Sequence, residues 1–552
     1  MPHHAQPRRD FHAHYLQAAG LIYAVAGLAA LWLLSPRVPY ADQWRHYARL
    51  LRESVATGVL TADNGHPEVL PNLIRLADLR WCGGHEVLQL ICAGVCAIAG
   101  LLLLLDIVRR DVALDVRTRA GMTFCLAFGW FWLGNEHALT VPCDCVHVYL
   151  VLLCLALALR LALVDSAQRP MRLVFAAALC GVATFTFGSG IATFAALAAA
   201  VFAFRRDVVP RIGVLGAIAL ATLLLYLTLP NAVHESEGGE LHPIQAIVRL
   251  LQVLGAPFMY LFWPLLDPSV ALAVPAPFRG IALTCANFWL EHVGDIRTSV
   301  FPQAAFGALM LIATSVATWR ARAAGGAARL GVALAWFGIA CAALIVLARA
   351  AYFDLYPGQI YALRYLPWSD VAWSGLLLTI LARPPKMRFV YALVLCLPLV
   401  ALPSEVGLFR LAQRTRDVAE AGALGAVVGV LPPDLSLGET QLDDVRAALP
   451  LLRSAKTAMF AWPAGAELQQ PLPADARALS AAAIGAEAVS NLLGADATRL
   501  HTRLATPACG TPVLVAVGGV VVGLLRRTDD DMWSGFALAG PASDFHLYTL
   551  CR

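Results

Sequence analysis

Charge is scarce in this chain of 552 residues: 14% are Asp, Glu, Lys or Arg, against 59% apolar residues, and mean hydropathy reaches +0.67. Soluble domains carry about 25% charged residues, so a water-soluble globular protein is excluded. A net charge of +4 is too small to recruit nucleic acid. Short-period repeats and low-complexity tracts are also missing. No small-x-small cleavage site follows the basic N-terminus "MPHHAQPRRDFHAHY", so the first apolar run reads as a retained helix rather than a signal peptide.

What is abundant is apolar sequence in runs of about bilayer length. Such runs lie near 16–34, 86–105, 120–134, 146–164, 172–187, 190–204, 211–229, 302–319, 329–349, 366–382 and 388–404. Arginines concentrate in alternate loops, at Arg8–Arg9, Arg109–Arg119, Arg160–Arg172, Arg205–Arg211, Arg320–Arg329 and Arg383–Arg388. By the positive-inside rule those loops, and the N-terminus, face the cytoplasm. The opposite loops carry Asp42, Asp63, Glu68, Glu136, Asp144, His234 to Glu240 and Asp354 and face outward. Segment 244–300 is apolar but rich in proline ("APFMYLFWPLLDPSVALAVPAPF"), which predicts a broken helix pair or a re-entrant segment. The expected fold is therefore an all-α polytopic membrane protein with eleven or thirteen transmembrane helices.

Either count is odd, which puts the C-terminus outside. The expected domains are a membrane part, 1–405, and an extracytoplasmic region, 406–552. Residues 408–490 read as amphipathic helix, and a small β-containing cap is expected from about 505, where "TPVLVAVGGVVVGLLRR" has strand and turn composition. Cys509 and Cys551 bracket that cap and would pair in an oxidising compartment, or remain two buried thiols. Most other cysteines lie inside apolar helices and read as small packing residues.

The first outward loop, 35–85, contains two amphipathic halves, "DQWRHYARLLRESVATG" and "PEVLPNLIRLADLRWCGG", suited to lying on a membrane surface. Asp42 opens the first half; it is either an N-cap for the helix that follows or a carboxylate placed to do chemistry. Other polar groups stand at helix mouths. Glu136-His137 follows the third apolar run, as an interfacial cap or a ligand group, and Cys143-Asp144-Cys145 with His147 opens the next. The latter lacks a second ligand pair for zinc, so packing or a local cap is expected. Arg364 and Tyr365 stand where an outward loop re-enters the bilayer, as an anion grip or a snorkelling interfacial pair. The Gly188-Ser189-Gly190 turn permits close backbone approach or simply tight packing. Trp263, Phe278 and Trp289 in the broken segment are suited to contacting a prenyl chain.

The order of these features resembles the GT-C superfamily of membrane glycosyltransferases, in particular a bacterial branch. "YADQW" at 40–44, "NGHPEVLPNLIRLAD" at 64–78, "FWLGNEHAL" at 131–139, "FTFGSGI" at 185–191 and "LRYLPWSDVAW" at 363–373 stand in equivalent order to the branch's motifs. The resemblance covers roughly residues 16–405. Two motifs depart from the pattern: His66-Pro67-Glu68 replaces a Glu-His-Arg stretch, and Gly188-Ser189-Gly190 replaces an Asn-Gly turn. The resemblance implies inverting transfer of a sugar from a polyprenyl-phosphate donor to a cell-envelope glycan or glycolipid outside the bacterial cytoplasmic membrane. It implies Asp42 as the catalytic base, and Arg364, Tyr365 and Arg45 around the donor phosphate, with His46 a second choice. His66, Glu68, Glu136 and His137 are the candidates for acceptor or sugar binding. No cofactor is expected; if a divalent cation takes part, Asp42, His66 and Glu68 would be its ligands. The competing classes are a transporter or flippase of lipid-linked glycan and a non-catalytic component of a polysaccharide-assembly complex. Few charges lie inside the apolar runs and the two halves do not look alike, which favours the enzyme over the transporter.

Overall fold

The computed structural model describes residues 10–164, 170–202, 208–232, 242–321, 325–383, 388–435, 441–481, 483–494, 497–505, 512–529, 531–538 and 544–550. In chain order its helices are α1 Phe11–Leu33, α2 Gln43–Arg52, α3 Val55–Leu60, α4 Val69–Trp81, α5 Val87–Arg110, α6 Val116–Phe131, α7 Glu136–Thr140, α8 Pro142–Leu163, α9 Pro170–Thr184, α10 Ala192–Phe202 and α11 Val208–Tyr226. Then follow α12 Pro243–Leu261, α13 Trp263–Leu266, α14 Pro268–Ala271, α15 Ala276–His292, α16 Phe301–Ala321, α17 Gly326–Ala348, α18 Ala350–Leu355, α19 Leu366–Leu381, α20 Arg388–Val428, α21 Leu442–Ala455 and α22 Pro463–Ala466. Seven strands close the chain: β1 Arg477–Leu479, β2 Ile484–Val489, β3 Ala497–Arg503, β4 Val513–Val517, β5 Val520–Arg527, β6 Met532–Leu538 and β7 His546–Thr549.

This is a multi-pass membrane protein. Among the described residues, eight helices are long and apolar enough to cross a bilayer: α1, α5, α8, α11, α12, α16, α17 and α20. The expected spans at 120–134 and 366–382 are helices of 16 residues, and those at 172–187 and 190–204 are also short. The chain divides into two compact units: residues 1–33, 60–71 and 90–411, and residues 34–59, 72–89 and 412–552.

The first unit is a helical bundle in which α17 packs along α19, α12 along α16, α1 along α6 and α10 along α17. Lipid offers no hydrophobic drive between helices, so close backbone approach carries the packing. Glycines permit it. A Cβ on Gly255 would lie 1.9 Å from the Gln303 carbonyl oxygen, and one on Gly307 1.9 Å from that of Leu251, so α12 and α16 touch backbone to backbone at both points. The 244–300 segment is broken as its prolines predict. Pro264 and Pro268 each start a single turn, and α15 begins after Pro275.

The second unit contains α2, most of α4, the end of α20, α21 and a wholly antiparallel sheet of order β1-β7-β4-β5-β6-β3-β2. Gly518 and Gly519, both at positive φ, make the two-residue link between β4 and β5 that strand twist favours. Alternate residues of the strands, among them Leu500, Val513, Val515, Leu525, Trp533 and Leu547, bury one face.

Three expectations change here. Strands begin at Arg477, not near 505; β1 and β2 (RAL, IGAEAV) have little intrinsic strand preference and are held by pairing with β7 and β3. The apolar run ending at 404 is part of one 41-residue helix that continues to Val428 through Pro398 and Pro403. The first outward loop folds into three helices rather than two, because Glu53-Ser54 ends α2 and starts α3. Cys509 and Cys551 lie outside the described residues, as do His234 to Glu240.

Candidate functional site

In the first unit, the His66 and His147 rings meet on Phe187, and further polar side chains adjoin His147. Asp63 and His66 exchange backbone hydrogen bonds (2.9 and 2.7 Å) across Asn64 and Gly65, both at positive φ. That Asn-Gly turn is the hairpin geometry these residues prefer. It is fastened by the Tyr226 hydroxyl, which donates to the Gly65 carbonyl, and by Val69 N donating to the Phe185 carbonyl at 2.9 Å. The His66 ring thereby meets Phe187 at 4.9 Å between centroids, and the His147 ring stacks flat on the same phenylalanine at 4.0 Å. Gly188 has to be glycine for His66 to sit there, since a Cβ would come 2.3 Å from Nδ1.

Backbone breaks set the stretch from α6 to α8. Trp132 leaves helical conformation at the end of α6, residues Leu133–Asn135 form a 3-10 turn, and α7 adds barely more than one turn before Val141-Pro142 starts α8. Proline suits that first helical position because its missing N–H has no helical partner to lose. The consequence is that His137 on α7 faces Asp144 in the first turn of α8, with Nδ1 2.5 Å from Oδ2. His147 Nε2 lies 3.5 Å from the other carboxylate oxygen. Glu136 is buried and accepts a hydrogen bond from Thr140 at 2.9 Å. It is therefore a core carboxyl rather than an exposed interfacial cap. The 3-10 turn Leu363–Tyr365 packs on α7, bringing the Arg364 charge to bear on His137. The Arg364 guanidinium lies 4.9 Å from the ring centre of Tyr365, and Tyr365 meets Phe353 edge to face.

Electrostatics separates the histidines. Burial, reinforced by the Arg349 charge, pushes His66 down to about 4, so it is neutral at physiological pH. For His137 burial opposes the charged ring, but the hydrogen bond and charge of Asp144, with Glu136 beside it, prevail and hold its pKa above the usual value. Burial raises Glu136.

Of the residues singled out from the sequence, His66, Glu68, Glu136, His137, Arg364 and Tyr365 all belong to the first unit. Glu68 is buried and acts electrostatically on His66. Asp42 and Arg45 belong to the second unit. There Asp42 takes the N-cap position of α2 yet makes no capping hydrogen bond; its carboxylate, 45% exposed, pairs with Arg45 at 2.9 Å. The capping reading of Asp42 is thus replaced by an ion pair, and Arg45 also holds Asp444 at 3.1 Å. His46 is buried and accepts from Arg49 at 3.1 Å. Among the groove candidates, Trp263 is buried and donates to Asp267, whereas Phe278 is exposed.

Sequence reasoning assigned Asp144 and His147 to packing or a local cap, and passed over Phe187. The signal was the spacing of His137 and Asp144 around Pro142, which folds seven residues into a facing pair. Among the described residues no three His, Cys, Asp or Glu side chains are grouped to hold a metal ion.

No family model matches the chain, and no curated protein matches it. Among solved structures, it is similar to the Archaeoglobus fulgidus oligosaccharyltransferase in the apo form, with 14% identity and a TM-score of 0.34 over 74% of this chain and 56% of that one. It is also similar to ArnT from Cupriavidus metallidurans bound to undecaprenyl phosphate, with 15% identity and a TM-score of 0.35 over 80% of this chain and 87% of that one. The chain spans little more than half the length of the oligosaccharyltransferase.

Proposed function

We propose that this chain is an inverting glycosyltransferase of the GT-C type, moving a sugar from a polyprenyl-phosphate donor to an envelope glycan or glycolipid on the outer face of a bacterial cytoplasmic membrane. In this reading the N-terminus is cytoplasmic and the C-terminal region lies outside. The observation that carries it is the convergence of His66, Glu68, Glu136, His137, Arg364 and Tyr365, remote in sequence, around one half-buried polar cluster in an otherwise apolar bundle. Ionisable groups gathered inside a membrane bundle are costly to bury and mark a functional site by default. The order of sequence motifs supports the same reading.

In the reaction the acceptor hydroxyl attacks the anomeric carbon as the bond to the donor phosphate breaks. Asp42 takes the hydroxyl proton; its carboxylate, paired with Arg45 at 2.9 Å, keeps 45% of its surface exposed and so can be reached by an acceptor. Arg364 grips the phosphate with its planar fork and Tyr365 supports that guanidinium from its ring face. The remaining polar groups orient the acceptor and sugar.

The test is transfer of radiolabelled sugar from a panel of polyprenyl-phosphate sugars to membrane glycolipid or glycan, comparing the purified protein with Asp42→Asn. Loss of transfer in a folded variant supports the reading, and equal transfer by both removes Asp42 from the chemistry. If neither transfers while lipid-linked sugar crosses liposomes, the protein is a flippase.

A further inference from the structure

The pairing of His137 with Asp144 is more than the proposed reaction has used. Nδ1 of His137 is committed to Asp144, which fixes the ring and its tautomer and leaves Nε2 as the working nitrogen. Among the described residues Nε2 has no hydrogen-bond partner, and both side chains keep a little over one-fifth of their surface exposed, so a ligand can reach them. The groups acting on the ring are Asp144 from α8, Glu136 from α7 itself and Arg364 from the 3-10 turn packed on α7, while His147 sits on the other oxygen of Asp144. The two acids Asp144 and Glu136 favour a proton on His137, against burial and the Arg364 guanidinium, which adds a neighbouring cation. An imidazolium beside a guanidinium is a site for a phosphate monoester.

We infer that His137 is the general acid that protonates the departing polyprenyl phosphate, and that Asp144 is its positioning residue. This rests on the glycosyltransferase reading. The step balances: as the acceptor oxygen bonds to the anomeric carbon, the bond from that carbon to the phosphate oxygen breaks and its electron pair stays on the oxygen. The Nε2 proton passes to that oxygen, leaving neutral imidazole whose Nδ1–H still donates to Asp144, while the acceptor proton goes to the base. The products are the glycosylated acceptor and the polyprenyl phosphate monoanion, and His137 regains a proton from water. A phosphate monoester has a second pKa of about 6, so the departing phosphate takes up a proton near neutral pH.

The test uses the full chain in nanodiscs. Binding is read from the His137 ring ¹⁵N resonance, identified by its loss in His137→Gln, on adding polyprenyl phosphate; chemistry is read from the pH dependence of kcat. The expected result is a shifted ring resonance in the wild type. His137→Gln is expected to lose on the order of 100-fold in kcat together with the alkaline limb of the profile. Asp144→Asn is expected to keep transfer but move that limb to lower pH, which a purely structural carboxylate would not do. An unmoved resonance, or a His137→Gln enzyme with the wild-type limb, overturns the inference while leaving the transferase reading standing. If the ring responds to polyprenyl phosphate but no donor is used by the wild type, the phosphate site is supported and the transferase reading fails.

Discussion

Gly188 stands directly against His66: a Cβ on residue 188 would lie 2.3 Å from Nδ1 of the imidazole, which Phe187 contacts from the same turn. His66 therefore owes its position to a missing methyl group. Gly188→Ala is expected to displace the ring, lower transfer about tenfold and cost about 1–3 kcal/mol of stability, as overpacking does. In a double-mutant cycle with His66→Ala, most of the Gly188→Ala penalty should vanish, because the clashing ring is gone. Additive penalties would show that Gly188 acts through something other than His66.

His66 and His137 should contribute to stability with opposite dependence on pH. The folded pKa of His66 is pushed down to about 4, against about 6.5 for an unfolded histidine. Between those values the unfolded chain binds more protons, so the protein loses stability as pH falls through this window. For His137 the folded value is raised, so its stabilisation is present below the unfolded pKa and fades as pH rises through the folded one. Thermal unfolding across pH 4 to 9 checks both. His66→Gln should flatten the acid side and His137→Gln the neutral-to-alkaline side.

The membrane bundle was legible because apolar runs of bilayer length have few alternative folds. The site residues His66, Glu136, His137 and Arg364 were visible as polar groups at helix mouths. Their partners were not. Asp144 looks like an ordinary acidic residue in a first helical turn, and only the break at Val141-Pro142 turns it toward His137. The Ala-rich strands β1 and β2 were invisible for a related reason. Their pairing energy comes from β7 and β3, and β1 and β7 are separated by about 70 residues of sequence, so no local pattern announces them.

Glu86 anchors the second unit. It is fully buried at a positive φ of 62°, accepting from the Tyr47 hydroxyl at 2.8 Å and from Gln43 at 3.2 Å, with Gln89 as a third donor. Asp78 fixes the same bend, accepting from the backbone N–H groups of Glu86 and Leu88 at 2.9 and 2.7 Å. Glu86→Ala removes the acceptor of the Tyr47 hydroxyl and of Gln43, while Gln89 still donates to the Tyr47 hydroxyl at 3.2 Å, and should cost about 3 kcal/mol, allowing for partial relaxation. Glu86→Gln keeps one oxygen for Tyr47 and should cost less than half as much. Denaturation of the purified variants in detergent distinguishes the two, and equal losses would show that the oxygen kept by glutamine contributes nothing.

Arg364 offers the most direct reading of donor recognition. Its guanidinium lies against the Tyr365 ring, 4.9 Å from the centroid, and reaches Gln359 at 3.5 Å, so its fork is oriented before any ligand arrives. Lysine keeps the charge but offers neither a planar face for the ring nor two parallel donors for phosphate. Arg364→Lys should therefore lower kcat/KM for the polyprenyl-phosphate donor about tenfold. Arg364→Ala, losing the charge as well, should lower it about 100-fold, equivalent to about 2.7 kcal/mol. Acceptor KM should barely move in either, because Arg364 serves the donor phosphate alone. Steady-state kinetics with each substrate varied in turn decides the matter: an effect confined to acceptor KM would take Arg364 off the phosphate and put it with the sugar- or acceptor-binding groups.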